Sequence, residues 1–334
     1  LVINPEQAAA DEIANILSFS IAANVESFAK GQVKLAEIKI TDDMPIVGMK
    51  LKDMDKRLTS STLIGIVVRD EQIIVPNGEF MINAGDNIYV FGKRSSLYNF
   101  SKLLGKRPQK IRNVMISGGG RISIYLARLL TEMGMKVKII EVDQEKCAQL
   151  SELLPEVLVI HGDGTDEELL QSENIDEMDA FIAMTGIDEE NLISAVLAKE
   201  NGVKKIITKI SRMNYTKIAK RLGIDSIISP KQITSNHILR YVRGSNVKCL
   251  YRIIEGQAEI TEFSDNNSNN ILNKKLKDLH LSKDTIIATI VRGKEIIIPH
   301  GNDSIKEGDR VIVISKNKNL ANLDDIAVNF AGGR

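Results

Sequence analysis

VMISGGGRISIYLARLLTEMGMKVKIIE, residues 114–141, is the stretch from which the rest of this 334-residue chain can be read. It opens with an apolar run, passes Gly118, Gly119 and Gly120, continues as an amphipathic segment, and closes with a second apolar run that ends at Glu141. That order predicts strand, glycine-rich turn, helix, strand. In such a unit the glycines let the backbone approach a pyrophosphate, and the helix N-terminus supplies N–H groups and partial positive charge to hold it. Glu141 lies 23 positions after Gly118, where an acidic residue accepts from ribose hydroxyls; the usual separation is about 20 residues. The fingerprint G-x-G-x-x-G is met at Gly118 and Gly120, but Ser123 stands at its third glycine. That position serves helix-to-strand packing, so a serine there leaves the phosphate contacts intact. The competing reading is a domain of this fold whose cleft is empty or serves as an interface.

Further along, KVKIIEVD, VLVIHGDG, DAFIAM and KKIITKI read as strands separated by helical segments such as EENLISAVLAKENG. Strands alternating with helices predict a parallel sheet with ligand at its carboxyl edge, hence an α/β fold with a Rossmann-type sheet. On either side of this region the chain repeats itself. IVVRDEQIIVPNG at 66–78 aligns without gaps on TIVRGKEIIIPHG at 289–301, pairing Arg69 with Arg292, Pro76 with Pro299 and Gly78 with Gly301. The same offset pairs Gly85 and Asp86 with Gly308 and Asp309. Each copy predicts a hairpin at Arg69 to Gln72 and at Arg292 to Glu295, then a turn at Asn83 to Asp86 and at Lys306 to Asp309 leading into a short strand. LKDM at 51–54 and LKDL at 276–279 predict a helical element ahead of each hairpin. Each copy is a small α+β module of about 70 residues, a size at which one core is just adequate. Upstream of them, residues 3–17 and 228–242 repeat Pro5 as Pro230 and Gln7 as Gln232, and both read as helices. The repeat leads us to expect that the first helix follows a βαβ domain of its own, so that this chain is a piece of a longer protein with two nucleotide-binding domains.

Composition bounds the function. The 44 basic and 44 acidic residues cancel, aromatic residues are 4% and tryptophan is absent, which argues against a nucleic-acid partner. Cys147 and Cys249 have no metal-ligand spacing and read as core residues of a protein from a reducing compartment. We expect no metal site, no signal peptide and no membrane-spanning run, since none approaches about 18 apolar residues. His161, His237, His280 and His300 are scattered, with no nucleophile elbow and no Walker A lysine. No catalytic residue is therefore expected, and His161 reads as a polar strand end.

The order of dinucleotide-binding domain, crossover helix and small α+β domain, duplicated in one chain, resembles the TrkA family of Trk potassium-uptake regulatory proteins, built from two RCK (KTN) units. ISGGGRIS at 116–123, KIIEVD at 138–143, HGDGTDEELL at 161–170, FIAMTGIDEENLISAVLAK at 181–199 and the duplicated hairpins carry the resemblance. It implies the end of a first Rossmann-type half with its crossover helix at 1–30, a first RCK C-terminal domain at 31–105, a second RCK nucleotide-binding domain at 110–243, and a second C-terminal domain at 245–320. It further implies that Gly118, Gly119, Gly120, Arg121 and Ile122 cradle the phosphates and that Glu141 binds the ribose. Asp163 would lie beside the adenine, Thr185 and Gly186 near the ribose or phosphates, and Lys209 would reach a phosphate as a point charge. A carboxylate at 141 favours NAD(H) or an adenine nucleotide, ATP or ADP, over NADP. The local alternatives are a turn role for Asp163, a capping box of Thr165 with Glu168, Asp188 as a helix N-cap, and Lys209 as a solvated strand end. The function implied is that of a cytosolic gating subunit, forming a ring-like homo-oligomer on the inner face of the membrane under a TrkH-like potassium-translocating subunit. The alternatives are an NAD-dependent oxidoreductase and a regulatory domain of another cation transporter.

Overall fold

A computed structural model of the chain describes residues 4–54, 61–106, 109–224, 226–243, 246–264, 271–282, 285–316 and 320–327. The chain divides into two units, one of residues 1–23 with 109–235, the other of residues 24–108 with 236–334.

The first unit is built on a six-stranded sheet. Strands β6 (Asn113–Ser117), β7 (Lys136–Glu141), β8 (Leu158–His161), β9 (Ala180–Ala183), β10 (Lys205–Lys209) and β11 (Ser226–Ile228) lie in the order β11-β10-β9-β6-β7-β8, and every pair is parallel. Side chains alternate between the two faces with the strand period of two. Val114, Ile116, Ile139, Ile182 and Ile207 enter a core shared with helices α1 (Pro5–Leu17), α4 (Arg121–Glu132) and α5 (Gln144–Leu153). Met115, Ile140, Phe181, Ala183 and Ile206 enter a second core under α6 (Glu167–Ser172), α7 (Asp188–Glu200) and α8 (Asn214–Arg221). With both faces covered, the strands read as continuous apolar runs. Strand order reverses between β6 and β9, and ligands of open α/β sheets settle in the crevice at such a switch point.

Helix α1 starts where its sequence says it should. Asn4 caps it by accepting from the Gln7 N–H, Pro5 fits the first turn, and Ala9, Ala10, Ile13, Ile16 and Leu17 are buried against α4. Its repeat mate α9 (Pro230–Val242) spans the same 13 residues at an offset of 225, the difference between positions 5 and 230. The faces differ: the positions of Ile13, Ile16 and Leu17 are taken by Ile238, Tyr241 and Val242, which are exposed.

The second unit contains the duplication. Strands β1 (Asn24–Phe28), β2 (Val33–Lys39), β3 (Thr62–Arg69), β4 (Gln72–Ile74) and β5 (Asn87–Gly92) form an antiparallel sheet in the order β1-β2-β5-β3-β4, with the single-turn helix α2 (Leu51–Met54) and α3 (Arg94–Leu103) beside it. Strands β12 (Val247–Ile253), β13 (Ala258–Ser264), β14 (Thr285–Arg292), β15 (Glu295–Ile297) and β16 (Arg310–Ser315) repeat that order as β12-β13-β16-β14-β15. Strand β1 opens the first of these sheets at Asn24, upstream of the residue 31 expected for this domain. LKDL folds as a short 3-10 turn at Leu276–Asp278 rather than as an α-helix.

The two modules pack on each other. Phe28, Leu35, Ile66 and Phe91 of the first share one core with Ile253, Ile260, Ile312 and Ile314 of the second. Asn24 Nδ2 donates to Tyr251 Oη at 2.7 Å, and the Ala29 N–H donates to Oε2 of the buried Glu262 at 2.7 Å. The residues shared by the repeats do the same work in each. Arg69 forks onto the buried Asp86 through Nε (2.7 Å) and Nη2 (2.8 Å) and also donates to the Met81 carbonyl. Arg292 forks onto the buried Asp309 at 2.9 and 2.7 Å and donates to the Ser304 carbonyl. Each aspartate also accepts from the N–H that opens its turn, Asn83 or Lys306, so the ion pair fixes the hairpin to the following strand.

Candidate functional site

The glycine-rich turn sits at the carboxyl end of β6, on the switch-point crevice, and its three glycines have three different reasons to be there. Gly118 has φ +99°, and a Cβ on it would stand 2.9 Å from the backbone of Thr185. It lets the turn cross close to the end of β9 in a conformation that L residues rarely adopt. Gly119 has no room either, with Leu150 Cδ1 at 2.4 Å and Glu141 Oε2 at 3.0 Å from a Cβ. Around Gly120 there is open space, and as the N-cap of α4 it makes no side-chain cap contact. The first turn of α4 holds no acidic residue. The N–H groups of Arg121 and Ile122 at that helix start therefore have neither an intrahelical acceptor nor a side-chain cap.

Of the five positions expected at the phosphates, two have amides that bond within the protein. The Gly118 N–H donates to the Ile140 carbonyl at 2.8 Å and the Gly119 N–H to Glu141 Oε2 at 2.8 Å. Both amides are engaged inside the protein, whereas the helix start at Gly120, Arg121 and Ile122 has no side-chain cap. Ser123 is buried and its hydroxyl donates to the Gly118 carbonyl. The serine in place of the third glycine thus closes the turn on itself. The Arg121 side chain turns away to Glu6 of α1 at 2.8 Å and is largely exposed.

Glu141 ends β7 and is buried at 7% exposure. Its Oε2 accepts from Gly119 and its Oε1 from the Asp143 N–H at 3.0 Å, so the carboxylate is held by the backbone of the loops after β6 and β7. Each oxygen keeps a second lone pair for a hydroxyl. Asp163, after β8, is exposed, and its Oδ1 accepts from the N–H and hydroxyl of Thr165, both at 2.8 Å. Gly164 runs so close to β6 that a Cβ would lie 2.0 Å from Ser117 Oγ. The capping box of Thr165 with Glu168 is not formed. Asp166 caps α6 instead, accepting from the Glu168 and Leu169 N–H groups, because the Asp163 turn already holds the Thr165 hydroxyl.

On the other side of the crevice, Thr185 and Gly186 form the loop after β9, with Gly186 exposed and open to a Cβ. Asp188 is not the N-cap of α7; Ile187 holds that place. The buried Asp188 carboxylate reaches across to the loop after β10, accepting from Ser211 (2.9 and 3.0 Å) and Arg212 (2.8 Å) N–H groups. Asn191, fully buried, escaped the sequence reading. Its Oδ1 accepts from the Thr185 N–H at 2.7 Å, and its Nδ2 donates to the carbonyls of Thr185 (3.2 Å) and Lys209 (3.1 Å). The signal was available, since Asn191 falls among the inward positions of α7 with Asp188, Ser194, Ala195 and Ala198. Lys209 ends β10 half-buried; burial pushes its ammonium below the ordinary lysine value, against the pull of the Asp188 carboxylate. His161 Nε2 lies 3.0 Å from the Val142 carbonyl, a strand-end contact. Among the described residues no group of histidine, cysteine, aspartate or glutamate could hold a metal ion.

Fold and site together define a class: a doubly wound nucleotide-binding domain joined to a pair of duplicated α+β modules. The TrkA-N domain family matches residues 114–230, and the TrkA-C domain family matches twice, at 35–105 and 260–327. The chain is 36% identical over 316 residues to Trk system potassium uptake protein TrkA homolog 1 of Methanosarcina mazei, across 94% of this chain and 70% of that protein. It is 34% identical over 317 residues to Trk system potassium uptake protein TrkA of Halomonas elongata, across 94% of this chain and 69% of that protein. Of solved structures, the GsuK RCK domain has a similar fold at TM-score 0.52 and 16% identity, over 93% of this chain and 68% of that one. So does the GsuK channel bound to NAD, at TM-score 0.52 and 17% identity, over 96% and 57%. The chain belongs to the TrkA family. No helix among the described residues is long and apolar enough to cross a membrane.

Proposed function

We propose that this chain is a nucleotide-binding regulatory subunit of potassium uptake, which changes conformation on binding and passes that change to a potassium-translocating membrane subunit of the TrkH type. The observation that carries the proposal is the uncapped start of α4 at Gly120, open to the crevice between β6 and β9, with Glu141 held beside it by the Gly119 N–H. A helix start left without a cap at a switch point suits a pyrophosphate. Gly120, Arg121 and Ile122 would bind it, with Gly118 and Gly119 shaping the turn. Glu141 would take the ribose hydroxyls, Asp163 would border the adenine, and Thr185, Gly186 and Lys209 would border the second half of the ligand.

The ligand we favour is NAD(H), with ATP or ADP competing for the same cleft; Glu141 disfavours a 2′-phosphate. The GsuK channel of similar fold is described as bound to NAD, and the relatives are Trk system potassium uptake proteins. The regulatory assembly would be a homo-oligomeric ring at the cytoplasmic face of the membrane. Its RCK C-terminal modules would span 24–105, which takes in β1 ahead of the 31–105 that the sequence suggests, and 245–320, with the nucleotide-binding domain at 110–243 between them in the chain. Binding regulates only if the ligand prefers one of two conformations, since equal affinity shifts nothing.

Gly120→Asp tests the cleft. The new side chain has open space and an ordinary φ of −74°, so the fold should be retained while a carboxylate enters the anion position. NADH and ATP binding, followed by calorimetric titration, should be lost with the melting temperature unchanged. Equal binding by the variant and the original chain would sink the assignment.

A further inference from the structure

Asparagine precedes glycine twice in the chain, at Asn77 with Gly78 and at Asn201 with Gly202. The side-chain amide of an asparagine can be attacked at Cγ by the backbone nitrogen of the next residue, and a glycine there puts no Cβ in the way. The attack needs a nitrogen not held in a hydrogen bond and an amide group able to leave. The fold provides both at one pair and neither at the other. Asn201 caps the C-terminus of α7, where the Gly202 N–H donates to the Lys199 carbonyl at 3.0 Å and Asn201 Nδ2 donates to the Leu197 carbonyl at 2.9 Å. Nucleophile and leaving group are both held.

Asn77 lies exposed in the loop between β4 and β5. It opens a turn in which the Phe80 N–H donates to the Asn77 carbonyl at 3.0 Å, a place that asparagine favours. Its Oδ1 accepts from the Glu79 N–H at 3.0 Å, which draws electron density from Cγ and steadies the negative charge that an attack would place on that oxygen. Among the described residues neither the Gly78 N–H nor Asn77 Nδ2 has a hydrogen-bond partner. The same turn holds α2, since the Leu51 N–H donates to the Phe80 carbonyl at 3.0 Å and the Lys52 N–H to the Gly78 carbonyl at 2.9 Å. The second module repeats all three bonds, from Asp303 to His300, from Leu276 to Asp303 and from Lys277 to Gly301. It has a histidine where the first has Asn77.

We propose that Asn77 is a site of spontaneous covalent modification, at which the chain converts to isoaspartate and releases α2 from the loop after β4. The Gly78 nitrogen gives its proton to water and bonds to Asn77 Cγ. The bond from Cγ to Nδ2 breaks, and that nitrogen leaves as ammonia with the proton it takes up. The cyclic imide then adds water. Opening at Cγ gives aspartate; opening at the main-chain carbonyl carbon gives isoaspartate, in which the chain runs through Cβ and Cγ and is longer by a methylene. A water is consumed and an ammonia released, with no change of oxidation state. In the isoaspartate form the former Asn77 carbonyl belongs to a free carboxylate, so the turn that sets the Gly78 and Phe80 carbonyls against α2 is no longer closed. His300 carries no such amide, and the second module keeps its turn.

The test is to age the full chain at mildly alkaline pH, in native buffer and in urea, and to follow conversion at Asn77 and Asn201 by peptide mapping with mass spectrometry. In the native chain Asn77 should react at least about tenfold faster than Asn201, whose reacting groups must first break their hydrogen bonds. In urea the two rates should converge. Gly78 has a φ outside the left-handed region, and a Cβ on it would stand 3.4 Å from Lys52 Cβ. Gly78→Ala should therefore fold and react more slowly at Asn77. Asn77→Ser keeps an oxygen for the Glu79 N–H but removes the amide, and should not react there. Hydrogen exchange in the aged chain should quicken at Leu51 and Lys52 and stay unchanged at Leu276 and Lys277, with no change at either pair in aged Asn77→Ser. A native ratio below about tenfold, a ratio that persists in urea, or a Gly78→Ala chain that reacts as fast as the original overturns the site. Unaltered exchange at Leu51 and Lys52 in the isoaspartate form overturns the release of α2.

Discussion

The glycine turn shows how much one residue type can mean at neighbouring positions. At Gly118 an alanine must adopt φ near +99° and press its Cβ against the Thr185 backbone. Gly118→Ala should therefore destabilise the protein by about 1–3 kcal/mol from backbone strain alone, read as a lower urea midpoint at unchanged slope. At Gly120 the same change meets nothing and should leave stability within about 0.5 kcal/mol. Equal effects at both positions would contradict the division of labour drawn here. Glu141 is a second such case. Glu141→Gln replaces one carboxylate oxygen with an NH2 group that must face either the Gly119 or the Asp143 N–H. Two donors then oppose each other in a buried place, and a cost of about 1–3 kcal/mol is expected, together with weaker nucleotide binding.

Among the elements, the two repeated helices provide a controlled comparison. Ile13 of α1 is fully buried against α4, whereas Ile238, its counterpart in α9, is about half exposed. Ile13→Asp should therefore be severely destabilising, since a buried charge without a partner is among the costliest changes. Ile238→Asp should leave the melting temperature within a few degrees. Similar losses from both would mean that α9 is covered in solution as α1 is. The hairpins make a related point. Asp86 is fully buried, and Arg69 is the cation that forks onto it. Arg69→Met should cost about 3–5 kcal/mol, because it leaves a buried carboxylate without its counter-charge. Arg69→Met with Asp86→Asn together should cost less than the sum of the two single changes, the signature of a coupled pair.

At the scale of the molecule, the paired α+β modules carry a pH-sensitive group. Glu26 of β1 is pushed up from 4.5 to about 7 by burial, against the opposing pull of the Ser27 N–H and of Lys34. A carboxyl whose pKa is higher in the folded chain binds its proton more tightly there than when unfolded. Its contribution is full below about pH 4.5 and disappears as pH rises through about 7. From the difference in pKa, Glu26 should contribute up to about 3 kcal/mol at the acid end of that window. Chemical denaturation across this range should show stability falling with rising pH, and Glu26→Gln should flatten that dependence. A slope unaffected by the substitution would place the titration elsewhere.

The sequence by itself determined a great deal that is local or periodic. The strand, turn and helix order around Gly118, the duplicated hairpins with Arg69 and Asp86 or Arg292 and Asp309, and the helix opening at Pro5 all follow from neighbours in the chain, where spacing alone dictates geometry. The identity of the family was legible for the same reason, because motifs and repeats are one-dimensional. What only the tertiary structure decided were the contacts between residues distant in sequence. Spacing could suggest Asp188 as a cap, but only the position of the loop after β10 turned its carboxylate to Ser211 and Arg212. The Thr165 capping box looked complete in one dimension and lost to Asp166 once Asp163 held the Thr165 hydroxyl. Asn191 was invisible as a clamp, since its partners lie 6 and 18 positions away, in the loop after β9 and at the end of β10. Likewise, the repeat announced two modules but not that they would share one core. A buried polar side chain bonds whatever the fold brings within about 3 Å of it, and that choice is made by packing, which no linear pattern encodes.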